Sequence, residues 1–303
     1  MACDASGCLA TDPAVPSAVA VDATHVYWGN SQSEIWSVPV AGGAPVMLSL
    51  GPANGGVLGL VVDATSVYWT EITLNPVAGW VMKAPLGGGE AVTLAAATWP
   101  IGIAVDATSV YWAESEEGLS ADVIKKVSLD GGAPTTLAPA AGPNTIAVDA
   151  TGVYWTQQVS GRPSLNALMQ VSLDGGSPTS LAPCPNAVGV AVAGGNAYCA
   201  GSDRVIAAPL DGGALLTLAT ADDGGWSGGL VVDAKNAYWV WDYEGRQNLV
   251  TFPLGGGAAK TLAVSLASGQ AFPYPLQPNA IAVDSTSLYY VDASNRIMKV
   301  TPK

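Results

Sequence analysis

The sequence predicts an all-β fold, a seven-bladed β-propeller of four-stranded blades, on three observations. One motif, an apolar run followed by Asp, a short turn and Val-Tyr-Trp, recurs seven times along the chain. The motif is spaced at the length of a propeller blade. The two chain ends are complementary fragments of one unit, so the ring can close.

The motif reads AVAVDATHVYW at 18–28, LGLVVDATSVYW at 58–69, IGIAVDATSVYW at 101–112 and NTIAVDATGVYW at 144–155. Weaker copies follow at 188–199, 229–239 and 280–290. The Asp positions 22, 63, 106, 149, 233 and 284 mark the period, with Ala193 in the fifth place, and the steps are 41, 43, 43, 44, 40 and 51 residues. In each unit the apolar run before Asp is strand A, and the Val-Tyr-Trp segment is strand B. An apolar segment ending in Gly-Gly is strand C, as in VIKKVSLDGG, and a Thr-Leu-Ala segment is strand D. No segment sustains a 3.6-residue apolar period, so almost no helix is expected. The blades are expected at 18–50, 58–95, 101–138, 144–182, 187–219, 228–263 and 279–303, in a single domain over 1–303.

The seventh unit stops after strand C. Residues 7–22 match an internal strand D to strand A passage such as 136–149, so the segment Gly7–Thr11 is expected to supply the missing strand. Closure would remove the open sheet edges that promote aggregation.

These units resemble the YWTD and NHL-type propeller repeats. They resemble more closely a group of bacterial propellers, abundant in myxobacteria, with units of the form IAVDATSVYWT…VMKVPLDGGTPTTLA. The resemblance spans essentially the whole chain and implies the fold. It implies little about function, because propellers host enzymes, lectins and scaffolds alike. YWTD domains usually have six blades, whereas seven are counted here.

Composition narrows the function. Apolar residues make up 49% of the chain and charged residues 12%. Gly, Pro, Asp or Ser interrupts every apolar stretch, so there is no run of about 18 apolar residues to span a membrane. The net charge of −13 repels nucleic acid and anionic membranes. Met1-Ala2 reads as a start placed on a mature N-terminus, and Cys3 stays open as the lipid-bearing cysteine of a bacterial lipoprotein, although the upstream lipobox is absent. The expectation is an exported monomer: periplasmic, extracellular or surface-anchored.

The four cysteines suit disulfides in such a protein. Cys184 follows strand D of the fourth unit, and Cys199 takes the strand B position held by Trp in units one to four and six. A Cys184–Cys199 bridge is therefore expected to replace an indole in packing. Cys3–Cys8 is the second expected pair.

The repeated residues read as structure. Each Asp can accept backbone N–H bonds in an Asx-type turn, and successive Tyr and Trp on strand B point to opposite faces, filling the wedges between sheets. The Gly-Gly pairs supply positive φ for tight C–D hairpins.

Antiparallel strands place A–B and C–D turns on one face, and B–C and D–A loops on the other. The first set is nearly invariant between copies. The second varies widely, and variable loops on a rigid scaffold are where function usually resides. This variable face carries Glu34, Glu71, Glu114, Glu116, Glu117, Asp122, Asp203, Asp222, Asp223, Asp242, Glu244 and Asp292, against Arg162, Arg204, Arg246 and Arg296. Trp80, Trp99, Trp226, Trp241, Tyr243, Phe272 and Tyr274 interleave with them. Aromatic platforms beside carboxylates suit sugar rings or cationic groups; the same residues could equally plug the channel mouth and keep the face soluble.

Catalytic motifs mostly fail. Gly225–Gly229 matches G-x-S-x-G around Ser227, but that motif needs a strand-to-helix turn and a nearby histidine. The one histidine, His25, lies on an A–B turn at the opposite face, and one histidine excludes His-cluster metal sites. No dinucleotide or phosphate-loop fingerprint appears. Glu71 and Glu114 follow strand B in adjacent blades, so a carboxylate-pair hydrolase or lyase stays open. The leading expectation is a non-catalytic binding propeller without cofactor or metal. It would take a saccharide, peptide or protein through Trp99, Trp226, Trp241, Asp242, Tyr243, Glu244, Glu71 and Glu114. A scaffold without a small ligand is a third reading.

Overall fold

The computed structural model describes residues 3, 7–51, 55–115, 122–158, 161, 166–187, 189–201, 203–220, 226–243, 246–266, 280–292 and 294–303. They form 28 strands in seven four-stranded antiparallel sheets, and no helix is present among them.

Strand β1 (Cys8–Thr11) precedes blade 1, which comprises β2 (Pro16–Val21), β3 (His25–Asn30), β4 (Glu34–Pro39) and β5 (Val46–Leu50). Blade 2 is β6 (Gly55–Val62), β7 (Ser66–Leu74), β8 (Val77–Pro85) and β9 (Val92–Ala97). Blade 3 is β10 (Pro100–Val105), β11 (Ser109–Glu114), β12 (Val123–Ser128) and β13 (Thr135–Pro139). Blade 4 is β14 (Pro143–Val148), β15 (Val153–Gln157), β16 (Ala167–Val171) and β17 (Thr179–Pro183). Blade 5 is β18 (Gly189–Ala193), β19 (Asn196–Ala200), β20 (Arg204–Pro209) and β21 (Leu216–Thr220). Blade 6 is β22 (Trp226–Val232), β23 (Asn236–Tyr243), β24 (Arg246–Pro253) and β25 (Lys260–Leu266). Blade 7 is β26 (Ile281–Val283), β27 (Leu288–Val291) and β28 (Arg296–Val300), completed by β1 as its outer strand. β1 pairs with β28 through Cys8↔Met298, Ala10↔Ile297 and Thr11↔Arg296, so the N-terminal strand closes the ring as expected.

Seven apolar clusters fill the seven wedges. In each, the strand B tyrosine of one blade meets the strand B tryptophan, or its replacement, of the next. Tyr27 packs in the wedge of Trp69, Tyr68 with Trp112, Tyr111 with Trp155, and Tyr198 with Trp239. Tyr154 meets Cys199, Tyr238 meets Leu288 and Tyr290, and Tyr289 closes the circle on Trp28. Period-2 alternation on strand B produces this directly, because Tyr and Trp are sequence neighbours and must face opposite wedges. Near the axis the wedges leave little room. A Cβ on Gly102 would lie 2.8 Å from the Asn144 carbonyl oxygen of the next blade, so the side chain must be absent there.

The repeat Asp is a turn residue that also latches the core. Asp63 Oδ1 accepts the Thr65 and Ser66 amides (2.7 and 2.8 Å), while Oδ2 accepts the Tyr68 hydroxyl at 2.7 Å. The arrangement repeats at Asp22–Tyr27, Asp106–Tyr111, Asp233–Tyr238 and Asp284–Tyr289, whereas Tyr154 donates to the same Asp149 Oδ1 that takes the turn amides. Blade 5 lacks the carboxylate and turns through Gly194 and Gly195, both at positive φ (57° and 75°). The Gly-Gly pairs after strand C also adopt positive φ, as at Gly42-Gly43 and Gly131-Gly132.

Lysines on strand C tie neighbouring blades. Lys83 donates to the Leu129 carbonyl, Lys126 to that of Leu173 and Lys299 to that of Val40. In blade 6, Thr251 takes this strand position. There Lys303 lies over the Tyr238 ring and pairs with Asp233, as Lys83 lies over Tyr68.

Candidate binding face

A channel is enclosed by the innermost strands of the seven blades. Strand A residues line it: Val19, Leu60, Ile103, Ile146, Val190, Leu230 and Ile281, with neighbours of the same kind. Thr145 is the one polar side chain of that lining. Among the described residues no charged side chain lines the channel.

On the variable face six carboxylates, those of Glu34, Glu71, Glu114, Asp122, Asp203 and Asp292, are engaged by the chain itself. Glu71, 1% exposed, accepts the Trp69 indole N–H at 3.0 Å. Burial raises its carboxyl above the usual carboxylate range, against the opposing effect of the Trp69 hydrogen bond. Glu114, 4% exposed, accepts the Trp112 indole N–H at 3.0 Å, the Thr98 amide at 3.2 Å and the Lys125 ammonium at 3.1 Å. Burial opposes its ionisation, but these three donors outweigh burial and hold its carboxyl below the usual value. The two glutamates occupy equivalent places, and Lys125 gives them opposite electrostatics.

The other described acids follow suit. Glu34 accepts from Asn30 Nδ2 (2.7 Å) and the Trp36 indole (3.0 Å). Asp122 takes the Ser115 hydroxyl and the Gly142 amide. Asp292, buried, holds Arg296 at 2.7 Å, and Asp203 pairs with Arg204 in the open. Glu116, Glu117, Asp222, Asp223 and Glu244 lie outside the described residues, as do Arg162, Phe272 and Tyr274.

The expected aromatic floor is placed as follows. Trp99 is half-buried in the bend before β10, its carbonyl accepting the Ser115 amide. Trp226 and Asp242 are direct cross-strand partners, as are Ser227 and Trp241, and Tyr243 pairs with Arg246 at the end of the β23–β24 hairpin. Trp241 is half-buried and stacks on Trp239, ring centroids 6.2 Å apart, as part of the blade 5–6 wedge. Trp226, Trp241 and Asp242 thus share one strand pair, while Trp99, Glu71 and Glu114 belong to blades 2 and 3. Ser227 lies within a strand and not at a strand-to-helix turn.

Sequence reasoning passed over Asp12 and Asn30. Asp12, 1% exposed, accepts the Trp28 indole at 2.8 Å, the Asn30 amide group at 3.0 Å and the Ala14 N–H at 2.9 Å. The signal was present, since Asp12 is the first residue after strand D of the closing unit, a position whose contacts recur around the ring. Gly51, its counterpart before blade 2, packs on Glu71: a Cβ there would lie 2.7 Å from Oε2. Thr98 binds Glu114. Cys184 is disulfide-bonded to Cys199, and Cys3 to Cys8.

The comparisons with known proteins show the fold. The chain matches no protein-family model and no curated protein. It is similar in structure to a chain of a nidogen/laminin complex, at 20% identity and a TM-score of 0.53, covering 92% of this chain and 94% of that one. The computationally designed Ika8 protein matches at 11% identity and a TM-score of 0.63, covering 97% and 98%. The extracellular domain of a one-component system from B. thetaiotaomicron matches at 12% and 0.68, covering 97% of this chain but 39% of that one. All three likenesses are those of a β-propeller.

Both cysteine pairs are bonded, which fits an oxidising compartment. Among the described residues no helix is long and apolar enough to cross a membrane, and no group of three or more potential ligands could hold a metal ion.

Proposed function

We propose that this chain is a non-catalytic binding propeller, exported from a bacterium and built of YWTD/NHL-like repeats, that holds a protein or peptide partner on its variable face. One observation carries the reading: the carboxylates of Glu34, Glu71, Glu114, Asp122, Asp203 and Asp292 on that face are each committed to an indole, an amide, a hydroxyl or a cation of the chain itself. Glu71 and Glu114, the pair on which the enzyme reading rested, serve as caps on buried tryptophans. A rigid ring with variable loops, paired cysteines and an aliphatic channel suits recognition better than turnover. A structural neighbour comes from a nidogen/laminin complex, itself an assembly of proteins. Trp99, Trp226, Trp241, Asp242, Tyr243 and Glu244 are the proposed contact residues.

The test is an array experiment. The purified protein is applied to peptide and glycan arrays, then repeated with Trp99→Ala, Trp226→Ala and the control Lys235→Ala on an A–B turn. Binding to peptides that both Trp changes weaken and the Lys235 change spares supports the reading. Binding lost only with Lys235→Ala, or cleavage of an arrayed glycan, refutes it.

A further inference from the structure

Four consecutive wedges carry a tryptophan at the strand B position, and in three of them a carboxylate caps its indole N–H. Asp12 caps Trp28, Glu71 caps Trp69 and Glu114 caps Trp112, at 2.8, 3.0 and 3.0 Å. In the fourth, between blades 3 and 4, Trp155 is fully buried and its Nε1 has no hydrogen-bond partner. A buried donor without an acceptor is costly, and native structures rarely leave one.

The blade 1 wedge shows what is missing. There the residue two beyond Trp28 is an amide, Asn30, and the carboxylate arrives from another segment, Asp12. Indole and amide then converge on the same oxygen, Asp12 Oδ2. Blade 4 carries an amide residue at the same place in the sequence. The residue two beyond Trp155 is Gln157, half-buried at the end of β15. The counterpart of Asp12, the first residue after the preceding strand D, is Ala140, which packs against the same cluster and brings no acceptor. No Asp or Glu occurs in the sequence between Trp155 and Asp174, so no acid follows this tryptophan as Glu71 follows Trp69 and Glu114 follows Trp112. Asp122, across the wedge, is held by Ser115 and the Gly142 amide.

We infer that the mouth of the wedge between blades 3 and 4 is a binding site for a carboxylate presented by the partner, which caps the Trp155 indole as Asp12 caps Trp28. The inference deepens the proposed function, since it specifies what the partner brings to the variable face. A charged acceptor makes the stronger hydrogen bond, and all three sister wedges use one.

The experiment follows the indole N–H resonances of uniformly 15N-labelled full-length protein, assigned by triple resonance, during titration with sodium acetate against equimolar sodium chloride. A saturable shift of Trp155, with Trp69 and Trp112 unmoved, is expected. N-acetylaspartate N′-methylamide and N-acetylglycine distinguish a side-chain from a C-terminal carboxylate, and the asparagine analogue of the first should leave Trp155 unshifted. Ala140→Asp should supply the cap internally, moving the Trp155 resonance without ligand and abolishing its response to acetate. A Trp155 shift no larger than with chloride, an equal response to the asparagine analogue, or an undiminished acetate response in Ala140→Asp overturns the inference. None of these outcomes depends on finding the partner. The array test can therefore succeed while this inference fails.

Discussion

Cys184 and Cys199 are bonded at the two repeat positions that carry the Asp12–Trp28 hydrogen bond in the closing wedge. Cys184 is the first residue after a strand D, and Cys199 takes the tryptophan place on the next strand B. The repeat thus joins the same two points by different chemistry: a carboxylate on an indole in one wedge, a covalent bond in another. With a separation of 15 residues, the bridge should contribute about 3 kcal/mol by restricting the unfolded chain. The double substitution Cys184→Ala, Cys199→Ala should lower the urea midpoint accordingly. In reductant, which opens Cys3–Cys8 in both proteins, wild type and double variant should unfold at the same midpoint.

Glu71 and Glu114 should answer pH with opposite signs. The folded state raises the Glu71 carboxyl, so the fold binds its proton more tightly than the unfolded chain does. Stability from this group falls as pH rises from the unfolded value toward the raised folded one. The folded state lowers the Glu114 carboxyl, so its contribution is present above the unfolded value and is lost as pH falls through the folded one. At pH 7, Glu71→Gln keeps an acceptor for Trp69 and sheds a buried charge, and should be as stable as wild type or more so. Glu114→Gln orphans Lys125 and should be destabilised by about 1–3 kcal/mol. Denaturation curves at pH 4 and pH 7 read both effects, and the two differences should shrink at the lower pH.

The fold was legible because it is written seven times. A single DATSVYW segment is an ambiguous apolar run, but its recurrence near every 43 residues leaves few architectures. Ring closure was legible for the same reason, since residues 7–22 repeat an internal passage. The partners of the variable-face acids were not. Glu71 and Glu114 look alike in sequence as acids two residues beyond a tryptophan, and nothing local shows that both fold inward onto that indole. Asp12 shows the same difficulty more sharply. Its indole partner is 16 residues away on another strand, a contact that only the closed ring creates.

The Asp–Tyr latch should set the acid limit of stability. Asp63 sits partly buried, which opposes ionisation, yet the Thr65 amide, the Tyr68 hydroxyl and the Ser66 amide outweigh this and hold its carboxyl below 3.8. Asp22, Asp106 and Asp284 are lowered in the same way. Their contribution is complete above the unfolded value and disappears as pH falls through the folded one. Asp63→Ala leaves the turn amides and the Tyr68 hydroxyl without their acceptor and should cost about 1–3 kcal/mol at pH 7. Asp63→Asn keeps one oxygen and should cost less, with a shallower acid limb. At the alkaline end, burial and Asp63 push Tyr68 up to about 12, so stability should decline as pH rises above about 10.

Lys303 gives blade 6 the ammonium that its own strand C lacks. Burial opposes ionisation of Asp233, but Lys303, the Lys235 and Asn236 amides and the Tyr238 hydroxyl bring its carboxyl down to about 2. Lys303→Ala should raise that value and shift the acid limb of unfolding to higher pH. Lys303→Arg should restore much of it. An NMR titration of the Asp233 carboxyl carbon that left its midpoint unchanged in Lys303→Ala would disprove the clasp.

Asp12 separates two contributions of the closing segment. Strand β1 covers the edge of β28 with backbone hydrogen bonds, and Asp12, just beyond it, satisfies three donors in the adjoining wedge. Asp12→Ala removes only the second contribution. It should keep the oligomeric state of the full-length protein and lose about 1–3 kcal/mol, because the Trp28 indole and Asn30 amide are left buried and short of an acceptor. Deleting residues 1–12 removes both contributions and opens a sheet edge of the sequence Arg-Ile-Met-Lys-Val. Such an edge recruits other chains, so the truncated protein should aggregate or form higher oligomers in size-exclusion chromatography at temperatures where Asp12→Ala does not. Equal elution profiles for the two variants would mean that β1 contributes no edge protection beyond its carboxylate. A truncated chain with the oligomeric state and the stability of the full-length protein would rule out closure by this strand.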